Sequence, residues 1–134
     1  MRRGALTISI DLELAWGVWD ILTPEDLRLA ESAERPICMA LLDLFDRYQV
    51  AATWAMVAAI LDRESGQARP GAPACWYAPD IVERIVKQLG PDTKTVATGG
   101  QGQLIADGSR LVKVYDQDLT LEGLRLIWER NQAR

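Results

Sequence analysis

The sequence Ala5-Leu6-Thr7-Ile8-Ser9-Ile10-Asp11-Leu12-Glu13 joins a short apolar run to two carboxylates. The β-branched residues from Ala5 to Ile10 favour a buried strand. Asp11 and Glu13 are two apart, so on an extended chain they point to the same side. Two such carboxylates repel each other and resist desolvation, which predicts a bound divalent cation or a division of labour between base and ligand. The alternative interpretation is a solvated strand end with both acids facing water.

Apolar periodicity after Pro36 predicts the next elements of the fold. One helical face is formed by apolar residues at i, i+3, i+4, i+7, i+8 and i+11, namely Ile37, Ala40, Leu41, Leu44, Phe45 and Tyr48. The apolar run Ala51 to Val57 follows this helix. Its position favours the second strand of a βαβ unit.

Residues that break helices and strands, mainly Gly and Pro, divide the rest of the chain. Gly, Pro and Ser predict a surface loop over 63–74, and Pro79 begins a helix that Gly90-Pro91 ends. We therefore expect β/α units over residues 1–90 and a divergent tail over 91–134. The tail opens with a polar, Gly-rich stretch and is expected to add a covering strand and helix.

Composition limits the classes of partner. The 134 residues are 49% hydrophobic and 25% charged, with a formal net charge of -4. This acidic balance argues against a nucleic-acid or anionic-membrane surface. The early acids interrupt any signal-peptide core, and no apolar run approaches the ~20 residues of a membrane span, so a cytoplasmic protein is expected. Cys38 and Cys75 are interpreted as buried, reduced thiols.

An Asp-x-Glu strand end has several possible chemistries. Metal-dependent nucleases place Asp and Glu on a first strand to hold two Mg²⁺ ions. Phosphatases with an aspartyl nucleophile begin with a similar Asp-x-Asp. Here Leu14-Ala15-Trp16 follows the acids, and Glu13 stands in the second position. Neither pattern is matched fully, and the nuclease stays as an outside alternative.

Residues 5 to 89 resemble the polysaccharide deacetylases of the NodB-homology type. The resemblance is carried, in order, by Ile10-Asp11-Leu12-Glu13-Leu14-Ala15-Trp16-Gly17, by the segment Pro36 to Val57, and by Trp76-Tyr77-Ala78-Pro79-Asp80-Ile81. It implies an α/β fold, here a partial or truncated (β/α) barrel with its acids at the carboxyl ends of the strands.

The resemblance also implies site roles and a substrate. Asp11 would be the general base, and Glu13 would bind a Zn-type divalent metal that activates water to release acetate from an N-acetylated saccharide. Weak substrate contacts would come from four aromatic residues near the acids, because sugar rings stack on such side chains: Trp16, Trp19, Trp76 and Tyr77. The alternative interpretation is that these side chains cover the end of the barrel.

The chain departs from this family in having no histidine, so two imidazole ligands are missing and tight metal binding is not expected. The expectation is a truncated or degenerate deacetylase. The alternative is a non-catalytic sugar-binding or subunit-pairing module. Because a short barrel exposes strand edges, self-association is also expected. Three explanations of the short barrel stay open. The gene is truncated or shifted in reading frame near Gly90, the chain is completed by self-association, or the tail covers the sheet.

Overall fold

A computed structural model of the chain describes residues 6–61 and 72–132. The chain divides into two compact units, Met1–Pro91 and Asp92–Arg134. Most of the loop predicted over 63–74 lies outside the described residues.

The first unit contains a βαβ motif. Strands β1 (Ser9–Leu12) and β2 (Thr53–Met56) pair in parallel, with Ser9 opposite Thr53 and Leu12 opposite Met56. A parallel pair needs a crossover connection, which helix α1 (Pro24–Tyr48) provides. The predicted βαβ unit is therefore confirmed. Strand β1 ends later than expected, so Asp11 lies within it.

Helix α1 is longer than the sequence predicted. Its cap is Thr23, whose hydroxyl accepts a hydrogen bond from the backbone N–H of Asp26 at 3.2 Å. The helix continues through Pro36, where we had expected a new helix to begin, and ends at Tyr48 before Gln49 with φ +53°. A proline inside a helix removes one backbone hydrogen bond. The capped segment before Pro36 and the apolar segment after it nevertheless form one helix.

The predicted apolar face of α1 is only partly buried. The helix buries Leu42 and Phe45. Ile37 is 63% exposed and Tyr48 is 66% exposed, although both belong to the predicted face. The buried stripe is therefore rotated around the helix from the one that the periodicity indicated.

Helix α2 (Pro79–Leu89) confirms its predicted start and stop. It buries Ile81, Val82 and Ile85, and Gly90 ends it with φ +97°, a conformation that favours glycine. The polar side of the helix also contacts α1, because Gln88 Nε2 donates to the Leu42 carbonyl at 3.0 Å. Two ion pairs, Arg35–Asp80 and Arg84–Asp43, join the same two helices.

The second unit repeats a strand–helix–strand order on a smaller scale. Strands β3 (Val96–Ala97) and β4 (Val114–Tyr115) pair in parallel around helix α3 (Gly102–Gly108), and helix α4 (Leu119–Gln132) follows. Gly102 is the one buried residue among those described in this unit.

The expectation of a partial (β/α) barrel is wrong for the described part of the chain. Its strands form two separate two-stranded parallel sheets within a small, helix-rich α/β fold. Closing a barrel requires a continuous ring of tilted strands, about eight for a (β/α) barrel, and two-stranded pairs supply no such ring.

Across the residues that the structure describes, no helix has both the length and the apolar character to cross a membrane.

Candidate functional site

The acid pair lies where strand β1 gives way to a 3₁₀ turn, Leu14–Gly17. Asp11 and Glu13 are both exposed, and Leu12 between them is buried. The Glu13 carboxylate folds back over the turn, where its Oε2 fills the place that a Cβ on Gly17 would take. Leu14 has φ +51°, a left-handed conformation that is strained for a branched side chain. The acids are thus solvated rather than paired in a pocket.

The structure gives the acid pair no further metal ligands. Within residues 6–61 and 72–132, no group of three or more Cys, Asp or Glu side chains is placed to hold a metal ion. A catalytic zinc needs about three protein ligands and an open position. Two exposed carboxylates without imidazole or thiolate neighbours do not supply them.

The aromatic residues expected near the acids form a packed cluster instead. The ring of Trp16 meets Trp76 edge-on at 5.1 Å between centroids and Tyr77 at 5.6 Å. Trp16 Nε1 donates to the Trp76 carbonyl at 2.8 Å. Trp76 is 1% exposed and Tyr77 is 8% exposed, whereas Trp19 is 40% exposed. Buried aromatic rings of this kind stabilise a core, and their faces are closed to a ligand.

Two carboxylates of α1 border this aromatic cluster. Glu31 Oε1 accepts a hydrogen bond from Trp76 Nε1 at 2.6 Å. Burial raises the pKa of the Glu34 carboxyl, a backbone N–H from Ala15 opposes that rise, and the negative charge of Glu31 adds to it. Burial also raises the pKa of the Cys38 thiol. The thiol is therefore protonated at neutral pH and is not an activated nucleophile.

A cavity of about 160 Å³ opens near the carboxyl ends of α1 and α2, and Asp46, Gln49 and Gln88 contribute its polar lining. The side-chain amides of Gln49 and Gln88 donate to the backbone carbonyls of Asp46 and Leu42. These hydrogen bonds hold the two side-chain amides against the backbone of α1.

The second unit contains a Gly-rich loop between strand β3 and helix α3. Thr98, Gly99, Gly100 and Gln101 are consecutive exposed residues, which we call the glycine loop. It turns tightly, because the Gly102 N–H donates to the Gly99 carbonyl at 3.0 Å, and Gly99 has φ +86°. Open space surrounds the positions that a Cβ on Gly99 or Gly100 would occupy. A ligand could therefore approach this backbone closely.

Strand β4 holds the glycine loop from one side. The Tyr115 hydroxyl donates to the Gly99 carbonyl at 3.4 Å, and the Tyr115 ring covers Gly102. Register places Tyr115 opposite Ala97, the last residue of β3. The loop thus has a defined shape and an open outer surface.

The curated proteins that this chain is similar to include several named type III pantothenate kinase. The enzyme of Solibacter usitatus is 61% identical over 51 residues, that of Koribacter versatilis is 55% identical over 53, and that of Brevibacillus brevis is 51% identical over 53. These matches take in 38 to 40% of this chain, and the chain spans only about a fifth of the length of each relative. No family model and no solved structure matches.

These relatives overturn the interpretation as a polysaccharide deacetylase. The carbohydrate hydrolase function, the Zn-type cofactor and the N-acetylated saccharide were all wrong, because every one of them followed from that resemblance. The sugar-binding module and the nuclease find no support either. The resemblance had rested on the order and spacing of three short segments, and no single motif among them was decisive. A strand, a helix and a second strand in this order occur in unrelated folds.

The sequence interpretation missed the glycine loop. We had interpreted this part of the tail only as a polar, Gly-rich stretch. The available signal was local: the short apolar pair Val96-Ala97, then Gly99-Gly100, then a segment able to form a helix. A strand, a Gly-rich turn and a helix in this order are typical of loops that approach phosphate groups, although a pair of glycines alone is a weak motif.

Proposed function

We propose that this chain takes part in the phosphorylation of pantothenate, in which a phosphoryl group passes from ATP to pantothenate and ADP is released. The observation that carries the proposal is the 61% identity over 51 residues with the enzyme of Solibacter usitatus. Seven further relatives of the same name, at 45 to 55% identity, support it. A cytoplasmic location belongs to the same proposal.

Within this proposal, the kinase-like stretch is centred on the second unit. That unit, Asp92–Arg134, has a length close to that of the matched stretch. It also holds the glycine loop, in which two adjacent glycines leave the backbone open on the outside. The acids of β1 and the aromatic cluster of the first unit offer no comparable surface for a phosphate chain.

The glycine loop would contact the phosphates of ATP. Phosphoryl transfer depends mainly on positioning and on electrostatic stabilisation of the phosphate oxygens, which Mg²⁺ assists. Backbone N–H groups can approach those oxygens only where no side chain intervenes, and Gly99 and Gly100 provide such a place. The full catalytic arrangement would require groups beyond those of this loop.

Nuclear magnetic resonance on the full chain tests the proposal. Addition of MgATP is expected to shift the amide signals of Gly99 to Gln101 saturably, while the signals of Asp11 and Glu13 stay in place. Gly100→Ala adds a methyl group where the structure has open space and is expected to weaken binding without unfolding the loop. Gly108→Ala, which also has open space but lies at the far end of α3, is the matched control. Shifts centred on β1, or none anywhere, would contradict the proposal.

A further inference from the structure

The open cavity of the first unit lies where helices α1 and α2 both end. Its volume of about 160 Å³ is well above the roughly 10–15 Å³ that one water molecule needs. The lining combines apolar side chains, among them Phe45 and Leu89, with the polar side chains of Asp46, Gln49 and Gln88. The cavity therefore has room for a small organic molecule that is part polar and part apolar.

Hydrogen bonds orient the two amides of this lining. Gln49 Nε2 donates to the Asp46 carbonyl at 2.8 Å, and Gln88 Nε2 donates to the Leu42 carbonyl at 3.0 Å. An amide whose nitrogen is held in this way retains its oxygen as an acceptor, and a carboxylate such as that of Asp46 only accepts. The polar lining is thus suited to a ligand that donates hydrogen bonds.

The electrostatic surroundings of the cavity are negative. The C-terminus of a helix carries roughly half a unit of negative charge, and two such ends meet here. Asp46 is the one charged side chain among the described residues of the lining. Arg47 and Lys87 belong to the same last helical turns but are exposed and lie outside that lining. A positively charged ligand is therefore favoured over a neutral or negative one.

The same lining favours an organic cation over a metal ion. Ca²⁺ takes about six to eight oxygen ligands, usually with several carboxylates among them. Here the described lining supplies a single carboxylate and two amides, beside the apolar surface of Phe45 and Leu89. An ammonium group on a short alkyl chain matches both parts of this surface.

We infer that this cavity binds a small alkylammonium cation. The ammonium group would donate to the Asp46 carboxylate and to the amide oxygens of Gln49 and Gln88, and the alkyl chain would lie against Phe45 and Leu89. This site goes beyond the proposed function, because it is built from the first unit alone and uses no residue of the glycine loop.

Nuclear magnetic resonance on the full ¹⁵N-labelled chain tests the inference, with butylammonium chloride as the probe. We expect saturable shifts of the side-chain amide signals of Gln49 and Gln88, with a Kd on the order of 1 mM for so small a ligand. Butanol, which has the same chain length without the charge, and sodium chloride at equal ionic strength are expected to give no saturable shift.

Asp46→Asn is expected to weaken butylammonium binding about tenfold, in the range for loss of a charge-assisted hydrogen bond. Glu25→Gln is the matched control, because it removes one negative charge from an exposed position at the other end of α1 and should leave binding unchanged. Circular dichroism checks that both variants stay folded.

Three outcomes would overturn the inference. They are shifts that rise linearly with butylammonium concentration, equal shifts with butanol, and equal binding by the parent chain and a folded Asp46→Asn variant. Each of these leaves the proposed function intact, because MgATP binding is measured at the glycine loop and does not depend on this cavity.

Discussion

The ring of Tyr115 lies against Gly102 so closely that a Cβ on Gly102 would meet the ring carbon Cε2 at 2.6 Å. The contact joins strand β4 to the first residue of α3, directly after the glycine loop. It fixes the loop between two elements while leaving the outer side of Gly99 and Gly100 open. The shape of the proposed phosphate site thus depends on a glycine and an aromatic ring that would not themselves contact the ligand.

Gly102→Ala is expected to destabilise the second unit by about 1–3 kcal/mol, the usual cost of overpacking a close contact. Gly123→Ala, in the open middle of α4, is the control and should instead stabilise that helix by about 0.5–1 kcal/mol. Circular dichroism during urea unfolding measures both changes. Equal effects of the two alanines would show that the Tyr115 contact does not constrain the loop.

Trp76→Ala is expected to lower the free energy of unfolding by about 3–5 kcal/mol, as emptying a buried aromatic site does. Trp76 is 1% exposed and its indole donates to Glu31, so the variant loses packing and leaves a carboxylate without its partner. Trp19→Ala, at a site that is 40% exposed, should cost less than about 1 kcal/mol. Chemical denaturation compares the two. Similar losses would argue against the aromatic cluster as the core of the first unit.

Glu34 predicts a pH dependence of stability. Because burial raises its pKa in the folded chain, the folded state holds the proton more tightly than the unfolded state does. The stabilising contribution of Glu34 to the folded state is fully present below the ordinary glutamate pKa of about 4.3. It is lost as the pH rises through the higher pKa that Glu34 has in the folded chain.

Glu34→Gln removes this titration. The melting temperature of the variant should therefore fall less than that of the parent chain as the pH rises from the ordinary glutamate pKa through the raised pKa of Glu34. Asp20→Asn, at an exposed position, is the control and should follow the parent curve. Parallel curves for Glu34→Gln and the parent would indicate that Glu34 is not desolvated in the folded chain.

The sequence was most informative where local chemistry decides an element. Pro79 and Gly90 delimit α2 correctly, because ring geometry and a left-handed φ act on single residues. The parallel pairing of β1 and β2 also followed from the order of apolar runs. The extension of α1 through Pro36 did not follow from the sequence pattern. It depends on the Thr23 cap, which begins a segment that looks too short to be helical by itself.

The candidate site was harder to predict for a physical reason. Asp11 and Glu13 indicated a catalytic site because they are paired acids at a strand end. A metal site, however, also needs ligands from elsewhere in the fold. The glycine loop contains no ionisable side chain, and its chemistry would come from backbone groups that every residue has. The local signal of a short apolar pair, two glycines and a helical segment is weak, and the open space around Gly99 and Gly100 is a property of the folded chain.

A graft tests most directly the proposal that Asp92–Arg134 holds the stretch similar to the pantothenate kinases. Residues 92–134 of this chain replace the aligned stretch of the Solibacter usitatus enzyme, and the formation of phosphopantothenate from ATP and pantothenate is measured. We expect the folded graft to retain activity. Gly100→Ala within it is expected to lower the rate at least about tenfold, in the range for loss of an electrostatic contact to the transferred phosphate. A graft that folds, binds pantothenate and forms no product would contradict the claim.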